Sequence, residues 1–64
     1  MRNVEIGKRL VALRGGKSQI EVAEAVGITQ AALSMYERGE RIPRDDVKIR
    51  LADYYKTSVA AIFF

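Results

Sequence analysis

The side chains of this 64-residue chain that could take part in chemistry are amides, hydroxyls, carboxylates and cations, because the sequence contains no Cys and no His. Those two absences exclude thiolate zinc sites and a nucleophile activated by histidine. Asp45 and Asp46 are adjacent carboxylates, but neighbouring residues on a helix point apart and would not form a catalytic pair. Gly15 and Gly16 lack the spacing of a nucleotide-binding loop. We therefore predict that the chain is not an enzyme and uses no metal or cofactor.

The charge of the chain favours an anionic partner. Eleven Lys and Arg residues against eight Asp and Glu give a formal net charge of +3 at pH 7. This excess is modest, so its placement on the surface matters more than its sum. No apolar run approaches the ~18–20 residues of a membrane span, and the charges near the N-terminus interrupt any signal-peptide core. We expect a cytoplasmic protein that does not enter a membrane.

Two short helices separated by a single glycine are predicted within residues 19–37. Gly27 is suited to end the first of them in the left-handed conformation, and Thr29 is suited to cap the second. The residues at helical spacing that would pack the two helices together are Val22, Ala23, Val26, Leu33 and Tyr36. This layout is typical of a helix-turn-helix, whose second helix enters the major groove of DNA.

A helix before this pair is predicted over residues 4–14. Ile6, Leu10 and Leu13 recur at the spacing of one helical face, and Asn3 is a candidate N-cap. Ser18 followed three residues later by Glu21 has the form of a capping box, which predicts the start of the next helix at Gln19.

Two more helices are predicted after the pair. The first begins near Arg44 or Asp45, because Pro43 biases the residue before it away from helix. Its apolar face consists of Val47, Leu51, Tyr54 and Tyr55. Thr57 or Ser58 caps a short last helix, whose apolar residues are Val59, Ile62 and Phe63. The sequence therefore predicts an all-α fold of five short helices in a single domain over residues 1–64.

Taken in order, these motifs resemble those of the phage lambda repressor and Cro-like (XRE-type) helix-turn-helix family, and the resemblance covers nearly the whole chain. The residues that match the family's first helix are Ile6, Gly7, Leu10, Leu13 and Arg14. Those that match the opening of its second helix are Gln19, Val22 and Ala23. Those that match the end of its recognition helix are Glu37, Arg38 and Gly39, followed by Pro43. The link between the first two helices is shorter here than is usual in the family.

The resemblance implies that one face of the second helix of the pair approaches base edges in DNA. The residues at the corresponding positions are Gln30, Ala31, Ser34 and Met35. Gln30 is the best candidate, because an amide can bond N6 and N7 of adenine together. Ala31 and Met35 could contact only apolar features such as a thymine methyl group.

The resemblance also implies contacts to the phosphate backbone. Helix starts attract phosphate through free N–H groups and the helix dipole, and arginine matches phosphate by its planar fork. The candidate residues are Gln19, Thr29, Arg38, Arg41, Arg44 and Lys17. Lys17 is the weaker candidate, because the short link alters its position. Arg14 and Glu37 would form a family ion pair that we interpret as structural.

The function implied by the resemblance is that of a prokaryotic transcriptional regulator, most simply a repressor, that binds double-stranded DNA in a sequence-specific way. Family members commonly bind palindromic operators as homodimers, so Ile62, Phe63 and Phe64 are candidate dimer contacts, with capping of the core as the alternative role. Dimerisation in solution and dimerisation only on DNA both remain open. The alternative function is that of an antitoxin-like or other protein-interaction module, because Ala31 and Met35 make the recognition face less polar.

Overall fold

The structure, a computed structural model, describes residues 2–64, which form five α-helices and no strand. In chain order the helices are α1 (Arg2–Arg14), α2 (Gln19–Val26), α3 (Gln30–Glu37), α4 (Asp45–Tyr54) and α5 (Val59–Phe63). The predicted fold class, an all-α protein of five short helices, is confirmed. The predicted helix-turn-helix corresponds to α2 and α3.

Hydroxyl side chains mark the starts of α2, α3 and α5. Ser18, Thr29 and Ser58 have extended backbones, and each side-chain oxygen accepts a hydrogen bond of 3.0 Å from the N–H three residues on. Such a cap contributes about 1 kcal/mol, because it satisfies a donor that the helix leaves free. The start of α4 at Asp45 has no side-chain cap, but its first turn contains two aspartates that suit the helix dipole.

The hydrophobic core lies where the helices meet, and every helix contributes to it. The five largest side chains with essentially no exposed surface come one from each helix: Leu10, Val22, Leu33, Leu51 and Ile62. Burying each side chain of this size stabilises the fold by about 1.5–3 kcal/mol. The helix-turn-helix is therefore held from both sides, by α1 and by α4.

Two glycines allow α1 to lie directly against the end of α3. A Cβ atom on Gly7 would overlap the carbonyl oxygen of Glu37. Gly39 has a φ of +74°, and a Cβ there would come within 2.9 Å of the backbone of Asn3 and Val4. The position of α3 therefore depends on contacts in which the backbone at its end touches the backbone of α1.

Two predictions for α1 are wrong. Asn3 does not cap the helix, because α1 already includes Arg2 and Asn3 lies within it. Leu13 does not join the core and is 40% exposed. The last turn of α1 instead contacts the other helices through Arg14, which donates hydrogen bonds to Glu37 and to the backbone of Lys17.

Candidate nucleic-acid interface

The turn between α2 and α3 is tight and is held by backbone hydrogen bonds. Gly27 has a φ of +84°, and its N–H donates to the carbonyl of Ala23 at 2.9 Å. Ile28 donates to the same carbonyl at 3.0 Å. The small side chain of Ala23, which is 2% exposed, and the fully buried Leu33 bring the two helices into close contact. The turn thus fixes the start of α3 relative to α2.

The four candidate base-contacting residues all lie on α3, outside the buried face formed by Leu33 and Tyr36. Gln30 and Ala31 are exposed, whereas Ser34 and Met35 are half-buried. The first turn of α3 is therefore its most accessible part, and Gln30 is the exposed residue in that turn with both a hydrogen-bond donor and an acceptor.

Side-chain amides connect the starts of the two helices. Gln30 Nε2 donates to Gln19 Oε1 at 3.0 Å, and Gln19 Nε2 donates to Glu37 Oε1 at 2.8 Å. The structure therefore brings together three residues to which the resemblance assigns different roles. Gln30 is assigned to a base, Gln19 to a phosphate and Glu37 to an ion pair. The sequence did not predict these two contacts.

Glu37 and Arg14 form a bidentate ion pair between α3 and α1. Arg14 Nε lies 2.7 Å from Glu37 Oε2, and Arg14 Nη2 lies 3.0 Å from Oε1. The Glu37 side chain is only 3% exposed and that of Arg14 is 20% exposed. The hydrogen bonds to Glu37 raise the pKa of Arg14. Arg14 Nη1 also donates to the Lys17 carbonyl at 2.8 Å and so holds the short link between α1 and α2.

Arg38, a candidate phosphate ligand, is paired within the protein. Its guanidinium donates to both carboxylate oxygens of Glu40 at 2.9 and 3.2 Å, and also to Ser34 Oγ. The pairing raises the pKa of Arg38 and lowers the pKa of Glu40. Sequence reasoning missed Glu40, although a carboxylate two residues after Arg38, beyond Gly39, was a signal that could have been found.

The other candidate cations differ in their contacts. Arg41 is exposed in the segment between α3 and α4. Arg44 has 86% of its side chain exposed and lies 3.9 Å from Asp46. Lys17 donates to the hydroxyl of Tyr54 at 3.1 Å, which raises the pKa of Lys17, so this side chain lies against the end of α4.

Arg50 has a structural role that sequence reasoning missed. Its Nη1 donates to the carbonyl of Val26 at 3.1 Å, which caps the end of α2, and its Nη2 donates to Asp46 at 3.2 Å. The spacing of Asp46 and Arg50 by four residues indicated their pairing along the helix. The contact with α2 could be found only from the packing of α4 against α2.

Ile62 and Phe63 are buried, with 0% and 2% of their surfaces exposed. Their side chains belong to the core of the chain, as in the alternative role given for these residues, and their contact with a second subunit stays a prediction. Phe64 is 69% exposed. It borders a groove of about 330 Å³ together with Ile49 and Val59.

A tight turn between two eight-residue helices, with the exposed Gln30 at the start of the second helix and nearby cations, defines a helix-turn-helix of the DNA-binding class. A family model described as helix-turn-helix matches residues 8–62. The chain belongs to the lambda repressor/Cro-like helix-turn-helix family, whose members are DNA-binding regulatory domains rather than catalysts. Comparison with curated proteins and with solved structures found no match.

Two structural features associated with other classes of protein were not found within residues 2–64. No helix there is both long enough and apolar enough to span a membrane. The same residues contain no group of three or more acidic side chains that could hold a metal ion.

Proposed function

We propose that this chain is a sequence-specific transcriptional regulator, most simply a repressor, which inserts α3 into the major groove of double-stranded DNA. The observation that carries the proposal is the first turn of α3, where the exposed Gln30 is held by Gln19 from the neighbouring helix. A side chain fixed before binding loses less conformational entropy when it contacts a base. A bound regulator would act by occupying a site that the polymerase needs.

In this proposal the bases are read by the exposed part of α3. Gln30 would contact adenine, and Ala31 would contact a thymine methyl group. Ser34 would bond several bases with little discrimination, after release from Arg38. Met35, which is half-buried, would add an apolar contact with its exposed part.

Phosphate contacts would flank this face. The start of α3 at Thr29 and the start of α2 at Gln19 would present N–H groups to the backbone. Among the candidate phosphate ligands, Arg41 and Arg44 are the most available cations, whereas Arg38 would share its guanidinium between Glu40 and a phosphate. Lys17 would have to leave Tyr54 to take part.

We further propose that this single domain acts as a homodimer on a palindromic operator in the cytoplasm of a prokaryote. One recognition helix covers few base pairs, and two such helices would lie about 34–36 Å apart on successive turns of DNA. The molecule measures 26 × 22 × 20 Å, so two copies side by side can span that distance. Of the three residues that the resemblance suggested as dimer contacts, Phe64 is the exposed one.

Selection of binding sites from random duplex DNA tests the proposal. We expect a palindromic consensus bound at least ~10³-fold more tightly than random DNA. The Gln30→Ala variant should bind that consensus ~5–150-fold more weakly, which corresponds to one bidentate base contact, and should bind random DNA as before. Weak, salt-sensitive binding without sequence preference would contradict base reading, and the antitoxin-like function would then be tested by searching for a protein partner.

A further inference from the structure

We propose that Glu37, although it is buried, determines which base Gln30 reads, because it fixes the orientation of two amides in series. The inference rests on the proposed function, in which Gln30 contacts a base. Glu37 would be a positioning residue, since it acts through Gln19 and does not itself contact DNA. The consequence is a preference for adenine over guanine at the base pair that faces Gln30.

The first amide is oriented by the charge of Glu37. A carboxylate paired with arginine only accepts hydrogen bonds, and Glu37 Oε1 accepts from both Arg14 and Gln19. Gln19 must therefore direct its Nε2 toward Glu37. The opposite orientation would place an amide oxygen 2.8 Å from a carboxylate oxygen that is almost completely removed from water.

The second amide is oriented by the first. Because Nε2 of Gln19 faces Glu37, its Oε1 faces Gln30 and can only accept a hydrogen bond. Gln30 must therefore direct its Nε2 toward Gln19. An inverted Gln30 would bring two amide oxygens to within hydrogen-bond distance of each other, without a proton between them.

This orientation leaves Gln30 with one free acceptor, Oε1, and one free N–H. Adenine presents a matching pair in the major groove, the N6 amino donor and the N7 acceptor. Guanine presents two acceptors, O6 and N7, so it would need two donors from the amide. If both amides were inverted, Gln30 would have two free N–H groups, and guanine would be favoured instead.

The Glu37→Met variant tests this prediction directly. This substitution removes the acceptor that holds Nε2 of Gln19, so neither Gln19 nor Gln30 would be fixed in one orientation. In competition binding with duplexes that differ only at the base pair facing Gln30, we expect the adenine-to-guanine preference of this variant to fall at least ~5-fold. Gln19→Met, which keeps the ion pair but removes the link, should reduce the same preference.

Arg14→Lys is the matched control, because it keeps a positive charge beside Glu37 but loses the bidentate geometry. This variant should unfold at a lower temperature and yet keep its adenine-to-guanine preference within ~2-fold of the wild type. All variants are compared below their unfolding transitions, and the relevant base pair is identified as the one at which Gln30→Ala loses its preference.

The results separate the inference from the proposed function. An unchanged preference in Glu37→Met or in Gln19→Met would overturn the inference while base reading by Gln30 stands. An equal loss of preference in Arg14→Lys would also overturn it, because packing of α1 against α3 would then explain the effect. If Glu37→Met does not fold, Gln19→Met decides the question. If Gln30→Ala alters no base preference, the proposed function fails and the inference fails with it.

Discussion

Glu37 keeps a charged side chain with only 3% of its surface exposed. Burial of an ion in a protein is unfavourable unless partners replace the lost water. Glu37 receives two hydrogen bonds from Arg14 and one from Gln19, so both of its oxygens have donors. The contribution of Arg14 to the free energy of unfolding therefore comes largely from neutralising this buried carboxylate.

Replacement of Arg14 by Met should lower the free energy of unfolding by about 3 kcal/mol, because the buried carboxylate of Glu37 would lose its counter-charge. Urea unfolding at neutral pH measures this change. Arg44→Met is the matched control, since Arg44 is 86% exposed and 3.9 Å from its acidic neighbour. It should alter the free energy of unfolding by less than ~0.5 kcal/mol. Similar losses in both variants would contradict the special role of the buried pair.

Tyr55 is the residue whose titration should affect stability at high pH. Its hydroxyl is the one buried side-chain polar atom within residues 2–64 that has no hydrogen-bond partner. Desolvation, and secondarily the charge of Glu37, raise the pKa of Tyr55 from 10.0 to about 12. A raised pKa means that the folded state favours the neutral phenol. Its contribution to stability is therefore fully present below pH 10 and is lost as the pH rises toward 12.

The Tyr55→Phe variant should lack this alkaline loss. At pH 7 it should be as stable as the wild type or more stable by up to ~1 kcal/mol, because it removes a buried hydroxyl without a partner. Unfolding by urea at intervals between pH 7 and 12 measures the difference. Parallel stability curves for the two proteins above pH 10 would contradict the prediction.

At the level of the helices, the sequence predicted those features that depend on residues close together in the chain. Ser18, Gly27 and Thr29 end or begin helices through local hydrogen bonds and backbone preference, so the bounds of α2 and α3 could be predicted closely. The position of Leu13 could not be predicted, because periodicity does not show where a helix extends past its partners. The link from Gln30 through Gln19 to Glu37 depends on how α2 and α3 cross, which no local pattern contains.

Gly7→Ala tests the contact of α1 with the end of α3. Alanine is favoured over glycine within a helix by about 1 kcal/mol. We nevertheless expect a net loss of about 2 kcal/mol in the free energy of unfolding, because the new Cβ would overlap the Glu37 carbonyl oxygen and force the helices apart.

Gly16→Ala provides the control for this prediction in thermal or urea unfolding. A Cβ on Gly16 would have no atom within 4 Å, and its φ is not in the left-handed region. That variant should be neutral or stabilised by up to ~1 kcal/mol, because it restricts the unfolded chain. A Gly7→Ala protein as stable as Gly16→Ala would show that α1 can move away from α3 at little cost.

For the molecule as a whole, the arrangement of charge matters more than the net charge of +3. Arg9 is used inside the fold, where its Nη1 donates to the carbonyl of Ile62 at 2.9 Å and joins α1 to α5. Arg41 is exposed beyond the end of α3 and remains available to an anionic partner. Removal of either cation changes the total charge equally. A comparison of Arg9 and Arg41 variants therefore distinguishes a direct contact with a phosphate from the attraction of DNA by the net charge.

Arg41→Gln should weaken binding to every DNA sequence and flatten the dependence of log K on log salt by about one unit. Arg9→Gln should lower thermal stability but leave that slope within ~0.3 of the wild type, since it removes no phosphate contact. Titrations at several salt concentrations measure both slopes. An unchanged slope in Arg41→Gln would remove Arg41 from the proposed phosphate contacts.

Helix α3 is held at its start by Gln19 and at its end by Arg14, with Gly7 and Gly39 closing the contact to α1. A helix held at both ends has little freedom to follow an irregular groove. The DNA would then have to change its shape to fit the protein. The free-energy cost of bending DNA or narrowing its grooves depends on the sequence of its base steps. Flexible steps such as TA and CA would therefore be favoured at base pairs that no side chain touches, and sequence would be read partly through the mechanics of the DNA.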